Sequence, residues 1–322
     1  MITLSKLAKL THVSVSTVSK AFSMSSEVNP ETREMIFEAA KKLGCFKKFY
    51  KAKYPKLVIA VICPEFRSRY YSVALYFIQK RLSEYNCEIC VASTDFSEST
   101  EAELLEYYNR YTSVDGIIII NGKTKVAEDM EIPVATIDSA YNSGVISVTS
   151  NFIPCIREAV DYFVENGVTD IGFIGETNTD TKLAMVCGVI EEKLGKTDSL
   201  LISVTDLRFE EGGFDAMEKF FENGKYPRAI ICAYDHMATG AISCICEHGL
   251  RVPEDIAVMG MNDIGGSGYL NPPLSSINTH LDKVCNETAD AIMEYLSGTI
   301  SEKRITVLPE VIFRKSTEIK KR

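Results

Sequence analysis

Residues 11–22 read Thr11-His12-Val13-Ser14-Val15-Ser16-Thr17-Val18-Ser19-Lys20-Ala21-Phe22, and this stretch decides how the N-terminal part of the chain folds. Ser14 can cap a short helix, because its hydroxyl accepts one of the backbone N–H groups that a helix start leaves unpaired. In that helix Val18, Ala21 and Phe22 fall on one face, and Val15, Ser16, Ser19 and Lys20 on the other. Upstream, Thr3 is placed to cap a segment whose Leu4, Leu7 and Ala8 share a face, and a turn through Leu10-Thr11-His12-Val13 joins the two helices. Downstream, Asn29-Pro30-Glu31 opens a third: a capping residue, proline at the first helical position, and an acid near the positive end of the helix dipole. That helix turns Ile36, Ala39, Ala40 and Leu43 inward and stops at Gly44. Three short helices so arranged form a helix-turn-helix module. Such a module lays its second helix in the DNA major groove with N-terminal side chains on base edges. The outward set here, small and polar with one cation, suits a close approach.

Charge separates this head from the rest. The 322 residues carry a net charge of −9, but residues 1–56 hold 11 Lys/Arg and four Glu, a net +7. The remaining 266 residues carry 24 basic and 40 acidic groups, a net −16. A small basic head on a large acidic body is expected where one module alone meets a polyanion, and nucleic acid is the leading candidate. Composition is that of a globular protein, 46% hydrophobic and 25% charged. No apolar run reaches the roughly 18 residues of a membrane span, and Met1 leads into a polar, helix-like segment without a signal-peptide pattern, so a cytoplasmic location is expected. The ten cysteines lie mostly in apolar surroundings and read as buried thiols of a reducing compartment; Cys87-Glu-Ile-Cys90 continues into Val91-Ala92 as a strand rather than a metal knuckle.

From Leu57 the pattern changes to short apolar runs alternating with amphipathic stretches. Strands are expected at Leu57–Ile62, Glu88–Ala92, Gly116–Ile120, Val134–Ile137, Asp170–Ile174, Leu200–Val204, Ala229–Cys232 and Ala257–Gly260. Helices are expected near 71–85, 99–112, 153–166, 181–194, 210–223, 236–248 and 282–297. Continuous apolar strands separated by helices indicate an α/β fold with parallel sheets covered on both faces, and so many units indicate two sheets. Ligands in such folds sit at the carboxyl ends of the strands. The sequence has no nucleophile elbow, Walker loop, zincin motif or dinucleotide fingerprint, and His12, His236, His248 and His280 lie far apart. An enzyme, a cofactor and a metal are therefore not expected.

Several of these stretches resemble one family. Thr3-Leu4-x-x-Leu7-Ala8, Val13-Ser14-Val15-Ser16-Thr17-Val18-Ser19-Lys20 and Val28-Asn29-x-x-Thr32-Arg33 resemble the head of the lac repressor (LacI/GalR) family. The resemblance continues through Val114-Asp115-Gly116-Ile117-Ile118, Asp170-Ile171-Gly172-Phe173-Ile174-Gly175, Pro227-Arg228-Ala229-Ile230 and Asp235-His236-Met237-Ala238-Thr239-Gly240-Ala241. It is densest at Gly249-Leu250-Arg251-Val252-Pro253-Glu254-Asp255-Ile256-Ala257-Val258-Met259-Gly260 and Pro272-Pro273-Leu274-Ser275-Ser276-Ile277. It implies a head over 1–45, a basic hinge over 46–56 and a two-lobed periplasmic-binding-protein-like body over 57–322. Lobe 1 would take about 57–151 and 279–306, and lobe 2 about 152–278 and 307–322, with three crossovers. It implies a transcriptional regulator, most often a repressor, that binds a pseudo-palindromic operator as a homodimer under allosteric control by a small molecule or protein partner. With nothing after Arg322, a tetramerising helix is not expected. The alternative is a cytosolic solute-binding or sensor protein of the same fold with weak or partner-dependent DNA binding.

Carried over position by position, Val15, Ser16 and Lys20 would read bases, and Ser14, Thr17, Ser23, Asn29 and Arg33 would contact or frame phosphates. His12 replaces the family's turn glycine, a position His tolerates better than most residues. The family's hinge pattern is missing: residues 46–56 read Phe-Lys-Lys-Phe-Tyr-Lys-Ala-Lys-Tyr-Pro-Lys. Tyr50 or Tyr54 would take the place of its minor-groove wedge, with Lys47, Lys48 and their neighbours on phosphates, or the segment is a basic linker. In the effector pocket, Pro64-Glu65-Phe66-Arg67-Ser68-Arg69-Tyr70-Tyr71 keeps aromatic character through Tyr70 and Tyr71, and Asp138 is kept. Met185 stands for the family's sugar-gripping Arg, Tyr234 for an Asn, Asn262 for an acid, and Arg208 falls near a position that is usually aromatic. Losing three polar anchors removes most of the directional hydrogen bonds of a sugar site. A simple sugar effector is not expected; an aromatic or anionic one, or none, is.

Overall fold

The computed structural model describes residues 3–50, 56–141, 143–195 and 201–319. The chain divides into two compact units, Met1–Thr149 with Cys285–Ile305, and Ser150–Val284 with Thr306–Arg322, so it passes between them three times.

The head, part of the first unit, is three helices closed on an apolar centre: α1 (Leu4–Leu10), α2 (Val15–Phe22) and α3 (Pro30–Lys42). Each start is capped by the residue expected: Thr3 accepts from Lys6 N, Ser14 from Thr17 N and Asn29 from Thr32 N. Leu7, Val18, Ala21, Ile36 and Ala40 are fully buried. Between α1 and α2, His12 takes φ +53°, and Gly44 ends α3 at φ +62°. Where the sequence reading begins a linker at 46, residues 46–50 fold onto the head. Phe46–Phe49 form a short helix, α4, and the rings of Phe46, Phe49 and Tyr50 join Phe22 and Phe37 in one aromatic cluster. An apolar face at 46, 49 and 50 has somewhere to go because Phe22 and Phe37 project to meet it.

The rest of the first unit contains β1 (Leu57–Cys63), α5 (Arg69–Glu84), β2 (Cys87–Ser93), α6 (Glu98–Tyr111), β3 (Gly116–Ile120), β4 (Val134–Ile137) and β5 (Ile146–Ser150). The second contains α7 (Ile153–Glu165), β6 (Ile171–Glu176), α8 (Asp180–Leu194), β7 (Leu201–Thr205), α9 (Phe209–Glu222), β8 (Ala229–Cys232), α10 (Asp235–Glu247), β9 (Ala257–Asn262) and β10 (Ser275–Asn278). The chain closes with α11 (Leu281–Leu296), β11 (Lys303–Val307) and β12 (Glu310–Ile312).

The sheets run β2-β1-β3-β4-β5-β11 and β7-β6-β8-β9-β10-β12. Strands β1 to β5 pair in parallel, as do β6 to β10, and at the second sheet's edge β12 runs antiparallel to β10. The first five strands of each sheet thus share the order 2-1-3-4-5. Chain order reverses between β1 and β3 and between β6 and β8, which opens a crevice at the carboxyl ends of those strands. In the second unit α9 and α10 touch backbone to backbone. A Cβ on Gly240 would lie 1.8 Å from the Glu210 carbonyl oxygen, and one on Gly213 1.9 Å from that of Met237, so only glycine fits either place. All ten cysteines are unpaired thiols, seven of them buried.

Candidate DNA interface and ligand-facing strand ends

In the head, Ser14 Oγ accepts from Thr17 N at 2.9 Å and shares a second bond with Thr17 Oγ1 at 2.8 Å, which fixes the start of α2. Val15, Ser16 and Ser19 stand exposed on its outer face, with Val15 at 44%. Lys20 reaches across that surface to an ion pair with Glu27. Ser23 is exposed at the end of α2, and its hydroxyl donates to Lys20 O at 3.1 Å. The Arg33 guanidinium donates from Nη2 to Ser25 O at 2.6 Å and Val28 O at 3.0 Å, holding the loop between α2 and α3 in shape. Lys20 and Arg33, the two cations of the three-helix head expected on DNA, therefore already have partners within it. Asn29 caps α3, with Oδ1 2.7 Å from Thr32 N. Lys48 is exposed, its ammonium 5.4 Å from the Phe49 ring centre, while Tyr50 stacks on Phe46 at 4.7 Å and is half-buried. Tyr54 and the side chain of Lys47 lie outside the described residues.

In the first unit, Asp138 directly follows β4 and takes φ +45°, a left-handed turn that short polar side chains tolerate. The Tyr70 phenol hydrogen-bonds to Asp138, and burial first, then the Asp138 charge, raises it well above the ordinary tyrosine range. Tyr71 meets Tyr70 edge-on at 5.4 Å and is itself buried. Of the three residues expected here, Tyr70 and Asp138 thus form one polar pair, with Tyr71 packed behind it.

In the second unit the polar groups gather at the carboxyl ends of β6, β8 and β9. Glu176, the last residue of β6, is 2% exposed, accepts from Asn178 N at 2.8 Å and pairs with Arg208 Nε at 3.5 Å. Tyr234, after β8, accepts from Phe209 N through its hydroxyl oxygen at 3.1 Å, and burial pushes its phenol up to about 12. Arg208 lies over the Phe209 ring at 4.8 Å. Asn262, ending β9 at φ +94°, accepts from Lys182 Nζ at 3.2 Å; the same ammonium donates to Ala233 O at 2.7 Å. Met185, one turn beyond Lys182 on α8, is half-buried against the apolar core. Beneath this edge, Asp235 accepts from Ser276 Oγ at 2.5 Å, Ser267 Oγ at 3.0 Å and Ile264 N at 3.2 Å. Asp263 is held by a two-pronged bond from Arg314, at 2.8 and 3.0 Å.

Arg208 and Tyr234 therefore come together, as do Asn262 and the cation of Lys182. Glu176 and Lys182 were not singled out from sequence. Glu176 had a signal: an acid ending an otherwise apolar strand, at the end where ligands bind. Lys182 had none until the fold brought its ammonium to Ala233 and Asn262 at the ends of β8 and β9.

Residues 3–45 match bacterial regulatory proteins of the lacI family, and residues 160–317 match a periplasmic binding protein-like domain. A relative named HTH-type transcriptional repressor PurR, from Histophilus somni (strain 129Pt), is 26% identical over 335 residues, 99% of each chain. Another, from Bacillus subtilis (strain 168) and named Probable HTH-type transcriptional repressor ExuR, is 28% identical over 312 residues, 92% of each. The fold is similar to that of one chain of a lac repressor structure, a dimer bound to operator and the anti-inducer ONPF: TM-score 0.71 and 21% identity, covering 98% of this chain and 99% of that one.

Proposed function

We propose that the chain is a DNA-binding transcriptional repressor of the lacI family, acting as a homodimer on a pseudo-palindromic operator. The observation that carries this reading is the exposed, Ser14-capped outer face of α2 in an N-terminal segment, residues 1–56, of net charge +7. Val15, Ser16 and Lys20 meet base edges in the major groove, and the surrounding hydroxyls and amides frame phosphates. Two heads related by a two-fold axis require two half-sites, spaced by about one or two helical turns. The relatives are named as repressors, and catalysis plays no part in this reading.

The effector is a small molecule of aromatic or anionic character rather than a simple sugar. In the second unit Tyr234 brings an aromatic ring, and Lys182 and Arg208 two cations, to the strand ends. Met185 and Asn262 supply fewer hydrogen bonds than a polyhydroxylated ligand requires. Control is allosteric only insofar as this ligand binds the DNA-bound and free states with different affinity. The protein works in the cytoplasm, where its operator is; no described helix is long and apolar enough to cross a membrane.

Selection of bound fragments from the source genome by the full-length protein, at about physiological salt, tests the reading. Enrichment of a two-fold symmetric site is expected. Salt-sensitive binding to all fragments, with none enriched, would overturn it in favour of a sensor protein whose DNA binding needs a partner.

A further inference from the structure

The same two helices that start at Arg208 and Tyr234 carry a second constellation nearer their far ends. Glu218 projects from α9, Cys244 from α10, and His248 ends α10 one turn beyond Cys244. The Cys244 thiol donates to Glu218 Oε2 at 3.2 Å, and His248 Nε2 lies 3.6 Å from the same oxygen. One donor atom from each residue lies within 4.8 Å of the other two. Ligands bound to a tetrahedral zinc-sized ion at ~2.0–2.3 Å stand roughly 3.3–3.8 Å apart, so these side chains need shift only slightly to share one ion.

The surroundings are those of a built site. His248 Nδ1 is 3.1 Å from the Cys244 carbonyl oxygen, which assigns its proton to Nδ1 and leaves the Nε2 lone pair toward Glu218. The imidazole is held flat against Phe221, with ring centres 4.1 Å apart and planes 20° apart, and Tyr226 backs Phe221 edge-on at 5.0 Å. Gly213 and Gly240 keep α9 and α10 in backbone contact, which fixes the distance between Glu218 and the other two ligands. Cys244 is fully buried, while Glu218 and His248 are half-exposed, so an ion has a way in from solvent.

We propose that Glu218, Cys244 and His248 bind a zinc-class divalent transition metal ion, with water completing the tetrahedron. Thiolate and imidazole favour such an ion over magnesium or calcium, which prefer oxygen donors. On binding, the Cys244 S–H proton passes to solvent as the metal–sulfur bond forms, and the carboxylate it had bonded turns to the metal. The ion would clamp the helix pair whose opposite ends carry Arg208 and Tyr234.

The test is titration of the chelator-treated full-length protein with Co2+, followed by the near-ultraviolet thiolate-to-cobalt band and the visible bands of tetrahedral cobalt. One equivalent should bind and be displaced by Zn2+. His248→Gln and Glu218→Gln, at half-exposed positions, should each weaken binding by more than about tenfold, the loss that even an outer-shell change brings. Cys244→Ser should abolish the thiolate band, while Cys246→Ser, at the exposed neighbouring thiol, should leave it unchanged. Circular dichroism confirms that each variant is folded. Absence of a tetrahedral spectrum, its persistence at full strength in His248→Gln, or its loss in Cys246→Ser overturns the proposal.

Discussion

On the proposed reading Lys20 cannot serve a base edge and Glu27 fully at the same time, so Glu27 should restrain DNA binding. The pair is exposed, 44% at Lys20 and 65% at Glu27, so water and salt screen it, and such pairs contribute about 0.2–1 kcal/mol. Loosening it on docking opposes binding by that amount. Glu27→Gln should therefore tighten operator binding by about 1.4–5-fold per head, and by the square of that for a dimer using two heads. Removing a carboxylate from an N-terminal segment of net +7 over residues 1–56 also strengthens attraction to any DNA, so the two effects must be separated. On a Lys20→Ala background the pair no longer exists, and Glu27→Gln should retain only the general charge effect. Lys20→Ala alone should weaken binding by roughly 1–3 kcal/mol and relax preference at one base position. Fluorescence anisotropy with an operator duplex and a scrambled duplex reads all four proteins. If Glu27→Gln weakens operator binding, or changes it equally in both backgrounds, the pair does not restrain Lys20. If Lys20→Ala weakens both duplexes alike, Lys20 touches phosphate and not a base.

Other residues give sharper structural tests. Ser14→Ala removes the bond to Thr17 N and should destabilise the head by about 1 kcal/mol, seen as faster amide exchange at the start of α2; unchanged exchange would mean the cap is dispensable. Gly240→Ala forces a methyl into the Glu210 carbonyl and should lower the unfolding free energy of the second unit by at least the roughly 1–3 kcal/mol of core overpacking; a neutral result would contradict the backbone contact of α9 and α10. Burial lifts the Asp235 carboxyl to about 6, outweighing the Ser276 and Ser267 hydrogen bonds that lower it. Because the folded pKa exceeds the unfolded one, the folded state holds this proton more tightly. Stability from Asp235 is thus greatest below about pH 4 and is lost as pH rises through about 6, on the order of 3 kcal/mol over that window. Asp235→Asn should flatten that slope in denaturant titrations between pH 4 and 7, and an unchanged slope would place the titration elsewhere. Replacing Lys47, Lys48 and Lys51 by Gln should flatten the salt dependence of DNA binding by about 0.9 log unit per lost phosphate contact, and an unchanged slope would mean these lysines never touch DNA.

Much of the architecture was legible because its signals are local. Ser14, Thr3 and Asn29 announce their helices through one hydroxyl or amide each, and the runs at Leu57, Gly116 and Ala229 are apolar enough to mark buried strands. The strands β5, β10, β11 and β12 were not foreseen. Ile146-Ser-Val-Thr-Ser, Ser275-Ser-Ile-Asn and Lys303-Arg-Ile-Thr-Val interleave polar residues that are satisfied only by tertiary partners, as Ser275 Oγ is by Arg314 O and Thr317 Oγ1. The packing of α4 was hidden for a similar reason: Phe46-Lys-Lys-Phe-Tyr reads as a basic hinge until Phe22 and Phe37 are seen beside it. In the second unit, Arg208, Tyr234 and Asn262 stood out as departures from a family pattern, but their partners Glu176 and Lys182 emerge only from the sheet order. Cys244 and His248 stand one helical turn apart in the sequence; Glu218 joins them only because two glycines bring α9 against α10.

Whether the Ser14-capped face of α2 reads a specific DNA sequence is decided by the affinity of the full-length protein for the selected operator and for a scrambled duplex of equal length, titrated in parallel over a range of salt. An operator preference of at least about a thousandfold is expected near physiological salt, with both affinities falling linearly in log salt. Equal affinity for the two duplexes at every salt concentration would mean that α2 reads no sequence.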